Sequence, residues 1–383
     1  MSKKLQPALR LFWITLITFF TISLQAAEND ILIGQINAQT GGGASLGKPL
    51  ALGAQVYLDS INARGGIKSR KIRLITLDDE FKEAKTQELA QELITKHSVL
   101  ALINTVGAPN IDNLITSQFL DRHHLVVLGP LTNSTTVRER RNHHVFFVRA
   151  GLREEIDAMV RQVEILGFKR VGIFYQNDTS GRDGLKLIEQ ALASKGLSAV
   201  ASANYERQDF KADQAAEVFR KTKPDVILTI SVAAATSNLV RKVGRSISSG
   251  VMVIANSGNS VETLQKSLGT ELARGLAIVQ VMPSLSNTAL PLIKDFKADF
   301  ARYAPPEERP NAFSLEGYIT ARILCTALAQ IQGQPDRKKL MQALESMRLV
   351  SLGGYILEFD KNKRLGSSYA EVAVLNGEGK LVR

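Results

Sequence analysis

The sequence predicts an α/β protein with two domains, and three observations carry that expectation. Strand-length runs rich in Val, Ile and Leu alternate with amphipathic stretches of helix length. The runs are near-continuously apolar, as in parallel strands covered on both faces. The chain has 383 residues, enough for two cores after an N-terminal leader is set aside.

Taken in order, ILIGQI (31–36) is the first strand, followed by a helix over 48–62 that Gly65 and Gly66 terminate. IRLITLD (72–78), a helix over 83–95 and VLALINTV (99–106) come next, then LVVLGPL (125–131) and VFFVRA (145–150). A helix over 152–166 ends at Gly167 before VGIFYQ (171–176); one starting near 182 ends at Gly196 before a strand near 199. VILTISV (226–232), VMVIANS (251–257) and LAIVQVMP (276–283) are further strands. A helix over 289–303, a break at Pro305, Pro306 and Pro310, and helices over 314–332 and 336–347 lead to the closing strands YILEFD (355–360) and AEVAVLN (370–376). No low-complexity tract or fixed-period repeat interrupts this order.

The compartment is read from the first residues. Lys3, Lys4 and Arg10 precede an apolar run from Leu11 to Leu24 that closes in Gln25-Ala26-Ala27, the pattern of a cleaved signal peptide. About 14 uncharged residues fall short of the roughly 20 that span a bilayer, so a membrane anchor fits less well. The expectation is a soluble, secreted, periplasmic protein. Setting 27 of the 383 residues aside leaves 356, and the net charge of +11 becomes +8 without Lys3, Lys4 and Arg10. The densest basic cluster, Arg138, Arg140 and Arg141, lacks the interleaved aromatics of a nucleic-acid surface and reads as a solvated face. The single cysteine, Cys325, sits in an apolar helical pattern, so it is expected to be buried, without a disulfide or an attached lipid.

TGGGASLGKP (40–49) resembles two chemical motifs and satisfies neither. A phosphate-cradling loop needs a hydroxyl after its lysine to hold Mg²⁺, and here Pro49 follows Lys48. A hydrolase elbow needs its serine on a sharp turn directly after a strand, with a histidine to orient it; Ser45 lies nine residues past Ile36. Adjacent histidines, His123-His124 and His143-His144, point to opposite sides of an extended segment and so do not converge on a metal; surface positions are expected. Asp78-Asp79-Glu80 reads as a polar strand-to-helix loop. No catalytic residue, metal or cofactor is expected.

The stretch from ILIGQINAQTGGGASLGKP through KIRLITLDDE, with VGAPN, VFFVRAGLREE, VGIFYQNDTSGRDG, KPDVILTISV and FSLEGYITARIL in the same order, resembles type I periplasmic substrate-binding proteins of the leucine/isoleucine/valine class. The resemblance covers essentially all of the chain after the leader. It implies two doubly wound parallel-sheet lobes joined by three hinge crossovers, near Val148–Ala150, Val279–Pro283 and Gly354–Asp360, with 28–148 and 281–353 in lobe 1 and 149–280 and 354–383 in lobe 2. Open parallel sheets bind beyond the carboxyl ends of their strands, where TGGGASLGKP, VGAPN, GPLTN and QNDTSG fall.

Laid along the family pattern, the ligand-binding positions are Ser45, Leu46, Gly107, Ala108, Pro109, Asn110, Leu131, Thr132, Asn133, Ser180, Ala233 and Ser257. Leu46, Ser180 and Ala233 stand where the family usually has tyrosine, and Ser257 where it has the acid that takes an ammonium. Burying an unpaired ammonium costs several kcal/mol, which disfavours a zwitterionic amino acid. The small residues imply a widened cavity and a larger, largely apolar ligand with one polar or carboxylate head held by Asn110, Thr132 and nearby backbone; they fit equally a protein that binds weakly or signals to a partner without a tight ligand. The expected function is a monomeric solute-binding component that delivers its small-molecule ligand to an inner-membrane ABC permease. The alternative is a sensor that signals to a membrane receptor.

Overall fold

Apolar strands that need cover on both faces build two separate sheets. The computed structural model describes residues 30–140, 142–243, 250–362 and 364–382; the expected leader (1–27) and Arg141 lie outside the described residues. The first sheet has β1 (Ile31–Asn37), β2 (Ile72–Asp78), β3 (Ala101–Ile103), β4 (Val126–Leu128) and β5 (Val145–Phe146), all parallel in the order β2-β1-β3-β4-β5. The second sheet draws on β6 (Val171–Gln176), β7 (Ala199–Tyr205), β8 (Val226–Ile230), β9 (Met252–Ala255) and β10 (Ala277–Gln280). A short ribbon, β11 (Val350–Ser351) with β12 (Ile356–Leu357), precedes β13 (Glu371–Leu375) and β14 (Leu381–Val382). The second sheet runs β14-β13-β10-β9-β8-β6-β7, parallel from β7 to β10 and finished by the two antiparallel strands.

Helices cover both faces of each sheet. Those of the first half are α1 (Ala44–Ala63), α2 (Glu83–His97), α3 (Ala108–Thr116), α4 (Phe119–His123) and α5 (Thr135–Glu139). In the middle stand α6 (Leu152–Ile165), α7 (Thr179–Ala193), α8 (Asp213–Thr222), α9 (Ala233–Val243) and α10 (Val261–Ala273), and near the end α11 (Pro291–Tyr303), α12 (Ala312–Gln330) and α13 (Arg337–Ser346). One face of the first sheet, with Ile33, Ile103, Val126 and Phe146, packs on α1 and α12; the other, with Ile36, Leu102 and Val127, packs on α2 and α3. Helices α1 and α12 cross with their backbones nearly touching. A methyl group on Gly53 would lie 1.8 Å from the Ser314 carbonyl oxygen, and one on Gly317 would lie 2.0 Å from that of Leu50. Cys325 is buried in the same layer, where burial pushes its thiol up to about 12.

Helix α1 starts at Ala44, four residues earlier than the pattern around Lys48 and Pro49 suggested. Pro49 lies inside the helix, where the lost N–H leaves only the Ser45 carbonyl without its backbone donor. The basic cluster also divides: Arg138 turns inward and donates to the carbonyls of Thr132, Arg149 and Ala150, while Arg140 pairs with Asp112 at the surface. Enclosure, with Arg149 next to it, pulls the Arg138 pKa down to about 10. Likewise His124 and His143 are exposed but His144 is buried, and burial holds its pKa below the usual histidine range.

The chain passes between the cores three times. Val148 belongs to the first core and Ala150 to the second; Val281 belongs to the second and Met282 to the first. The third passage lies between Phe359 and Ala370, later than the 354–360 stretch, because Tyr355, Leu357 and Phe359 are drawn into the first core. The Tyr355 hydroxyl donates to the carbonyls of Val148, at 3.0 Å, and Val281, at 3.4 Å, fastening two crossovers together. No described helix is long and apolar enough to cross a membrane.

Candidate functional site

Loops at the carboxyl ends of both sheets face each other across a cavity of about 80 Å³. The first lobe contributes an apolar wall of Leu46, Phe81, Val106 and Leu131, to which the second adds Ile230 and Val232. Polar groups enter from Thr132 and Asn133 on one side and from Gln176, Asp178, Ser180, Ser231 and Asn256 on the other, with Arg149 at the hinge.

TGGGASLGKP is a loop only at Thr40: Gly41–Gly43 form a 3₁₀ turn that runs into the first residues of α1, and the glycines permit close approach. Gly41 has φ +71°, a methyl on Gly42 would meet the Phe210 ring of the opposite lobe at 2.5 Å, and one on Gly47 would meet the Ala38 carbonyl oxygen at 2.0 Å. Asp78 fastens the loop, accepting from the backbone N–H of Gln39 (2.9 Å) and Glu80 (2.9 Å) and from the Thr40 hydroxyl (2.5 Å). Burial works against its charge, but these hydrogen bonds outweigh burial and lower its pKa from 3.8 to about 2. A folded-state pKa below the unfolded value gives stability that is complete above pH 3.8 and lost as pH falls through about 2. Asp78→Asn is therefore expected to be less stable than the native protein at neutral pH, with the gap in melting temperature narrowing between pH 4 and 2. A gap independent of pH would contradict this.

Neighbouring Asp79 is more than loop polarity. It is fully buried and accepts from the Phe81 N–H (2.9 Å), the Thr86 hydroxyl (2.8 Å) and the Asn110 amide (3.0 Å). Burial raises its pKa, opposed by the same hydrogen bonds. Asn110 is thereby turned away from the cavity: its amide nitrogen also donates to Thr86 at 2.7 Å, and its oxygen accepts from Arg207 at 3.2 Å.

Of the positions named from the sequence, Leu46, Gly107, Ala108, Leu131, Thr132, Asn133 and Ser180 line the cavity. Ser45, Pro109, Asn110, Ala233 and Ser257 do not. Gly107, at φ +106°, donates its N–H to the Leu131 carbonyl and leads into α3, whose first turn has no side-chain cap; Pro109 has no N–H, so Ala108 and Asn110 supply the N–H groups open to an anion. Ser45 sits in the first turn of α1 rather than on a strand-to-helix elbow. The cleft is not widened by its small residues, because Ser180 donates across it to Asn133 at 2.9 Å and Ala233 is buried in the second core. Ser257 meets an acid from α6: Glu155 accepts from the Ser257 N–H (2.8 Å) and hydroxyl (2.7 Å) and from Asn133 (3.0 Å).

Several residues in and around the cleft escaped the sequence reading. Arg149, 2% exposed, bonds Ser257 and pairs with Glu316 of α12 at 3.4 Å and Glu155 at 3.8 Å, so one guanidinium joins both lobes at the hinge. Asp178 also lines the cavity, with one oxygen accepting from the Gly181 N–H (3.0 Å) and the other from Gln176 (2.5 Å). Two latches hold the lobes together. Asp183 of α7 accepts from the Ser134 hydroxyl (2.5 Å) and from the Thr136 N–H (2.9 Å) and hydroxyl (2.6 Å). Arg207 stacks 3.6 Å above the Phe81 ring and donates to the Phe81 carbonyl at 3.0 Å. The lone Arg in VFFVRA and the lone Glu in FSLEGYIT are charges inside apolar runs, the one signal that marked the hinge pair.

Comparison with known proteins agrees with this geometry. A family model described as periplasmic binding protein matches residues 30–379. An amino acid binding protein from Pseudomonas aeruginosa is 23% identical over 354 residues, covering 92% of this chain and 91% of the relative. A Leu/Ile/Val-binding protein homolog 7 from Brucella abortus is 22% identical over 373 residues, covering 91% of each. The crystal structure of a substrate-binding periplasmic protein from Ralstonia solanacearum superimposes with a TM-score of 0.86 at 27% identity, covering 92% of this chain and 99% of that one.

Proposed function

The chain belongs to the periplasmic binding protein family, and from that premise we propose that it captures a compact carboxylate with an apolar body and presents it to an inner-membrane ABC permease. The single observation that carries the ligand class is the uncapped start of α3 at Ala108, in the same cavity as the apolar side chains of Leu46, Phe81, Val106 and Leu131. Helix-start N–H groups favour an anion, and an apolar wall favours a hydrocarbon body over a charged one. The acid lining the cavity, Asp178, accepts one hydrogen bond at each oxygen and keeps acceptor capacity, so the amino acids are included as the competing ligand class in the test. A cavity of about 80 Å³ favours a short or branched chain over a long one. The family is one of binding proteins and is non-enzymatic.

Closure is the working step: contacts from both lobes form together, so a ligand that bridges them shifts the open–closed equilibrium by its preference for the closed form. The test is a thermal-shift and calorimetric panel of isobutyrate, isovalerate, isovaleramide, L-valine and L-leucine. The two carboxylates are expected to stabilise the protein, by about 2.7 kcal/mol at a hundredfold excess over Kd. Isovaleramide is expected to have no effect. Stabilisation by the amino acids alone would overturn the ligand class. Asp183→Ala removes three hydrogen bonds to a charged acceptor from the closed form only, and should weaken whichever ligand binds by roughly tenfold to a hundredfold, mainly through faster release. Unchanged release rates in stopped-flow would refute the latch.

A further inference from the structure

The two latches across the cleft differ in what they hold. Asp183 grips Ser134 and Thr136, neither of which lines the cavity. Arg207 grips Phe81, which does. Its guanidinium carbon lies 3.6 Å from the centroid of the Phe81 ring, and the same group donates to the Phe81 carbonyl at 3.0 Å and to the Asn110 side-chain oxygen at 3.2 Å. Phe81 is the one aromatic among the described lining residues, so a ligand in the cavity and a cation from the opposite lobe meet the same ring.

The first lobe imposes the position of that ring. Glu80 and Phe81 both have left-handed backbones, at φ +53° and +65°, a conformation disfavoured for residues with side chains. Asp78 and Asp79 hold the turn by accepting the Glu80 and Phe81 N–H groups, each at 2.9 Å. Asp79 also fixes the Asn110 amide, so one buried carboxylate orders both groups of the first lobe that Arg207 meets. Gly43 and Gly107 leave the ring its space: a methyl on the first would lie 2.9 Å from a ring carbon, and one on the second 3.0 Å. A side chain held on a sparsely populated backbone conformation at a ligand wall points to a part in binding. A ligand that fills the cavity packs against the ring and holds it under the guanidinium; one too small to reach the ring gives it fewer contacts and leaves Arg207 a weaker hold.

We propose that Arg207 is a positioning residue that sets ligand selectivity without touching the ligand: it reads through the Phe81 ring whether the cavity is filled, while the Asp183 latch favours closure equally for every ligand. The inference rests on the cleft as the ligand site, not on the head group assigned to its ligand.

The test is calorimetric titration of the native protein and its variants with two series of increasing bulk: propionate, isobutyrate and isovalerate, and L-alanine, L-valine and L-leucine. Arg207→Gln should weaken the bulkiest ligand of the series that binds by about tenfold, the loss expected of a partly buried cation–ring contact with a hydrogen bond, and the smallest by less than about threefold. Asp183→Ala should weaken all members by the same factor. Phe81→Leu keeps an apolar wall but not the ring, and in that background the Arg207→Gln loss should be the same for every ligand. A merely structural role for Arg207 predicts an equal loss across the series in the native background. That result, a gradient that survives Phe81→Leu, or a gradient at Asp183 as steep as the one at Arg207 overturns the proposal. Binding of the amino acids alone changes the ligand class and leaves the gradient to decide the latch; binding of neither series overturns the cleft reading and this inference together.

Discussion

Arg149→Met is expected to cost the folded protein about 3–5 kcal/mol, the amount typical of removing one partner from a buried ion pair. Arg149 is 2% exposed and stands between Glu155 and Glu316, which are 0% and 1% exposed, so its loss strands carboxylates that water cannot reach. Burial already raises the pKa of Glu316, opposed first by Arg149. Methionine keeps most of the volume, which separates the charge effect from a cavity effect. Urea unfolding followed by circular dichroism measures the loss. The double variant Arg149→Met/Glu316→Gln should recover part of it, because one of the stranded charges is gone. A single variant as stable as the native protein would mean that the guanidinium contributes no net stability, and the hinge would need another account.

The second large effect is expected at the crossing of α1 and α12. Alanine is a better helix former than glycine by about 1 kcal/mol, so propensity alone predicts that Gly317→Ala stabilises. Packing decides otherwise. The new methyl would sit 2.0 Å from the Leu50 carbonyl oxygen, and the obstacle is backbone, which cannot swing aside as a side chain can. Overpacking of this kind costs about 1–3 kcal/mol or more, so a net loss of about 2 kcal/mol is expected for Gly317→Ala, and a larger one for Gly53→Val, whose first carbon alone would lie 1.8 Å from the Ser314 carbonyl oxygen. Equal or higher urea midpoints for these variants would show that the helices can separate without penalty.

Much of the architecture was legible because its signals are local. Both-face burial makes runs such as VGIFYQ and VILTISV unmistakable, and β6 spans the predicted 171–176. The start of α1 was misplaced because three glycines carry no helix signal, and Pro49 looked like a first residue when it is the sixth. Of the candidate positions, Gly107 lies at the cavity because of a backbone feature, the φ of +106° that turns the chain into α3. Side-chain roles depended on partners far away in sequence: Asn110 is held by Asp79 and Arg207, Ser180 by Asn133, and Ser257 by Glu155. No spacing rule within one segment could have shown those pairings.

The near-contact of α1 with α12 also fixes an order of events. Residues 44–63 meet this packing partner only when residues 312–330 exist, and the part of the first sheet's face that α12 covers stays open until then. Contacts of such long sequence separation slow the approach to the native state. A ribosome that has made only the first half of this polypeptide therefore holds an unfinished lobe.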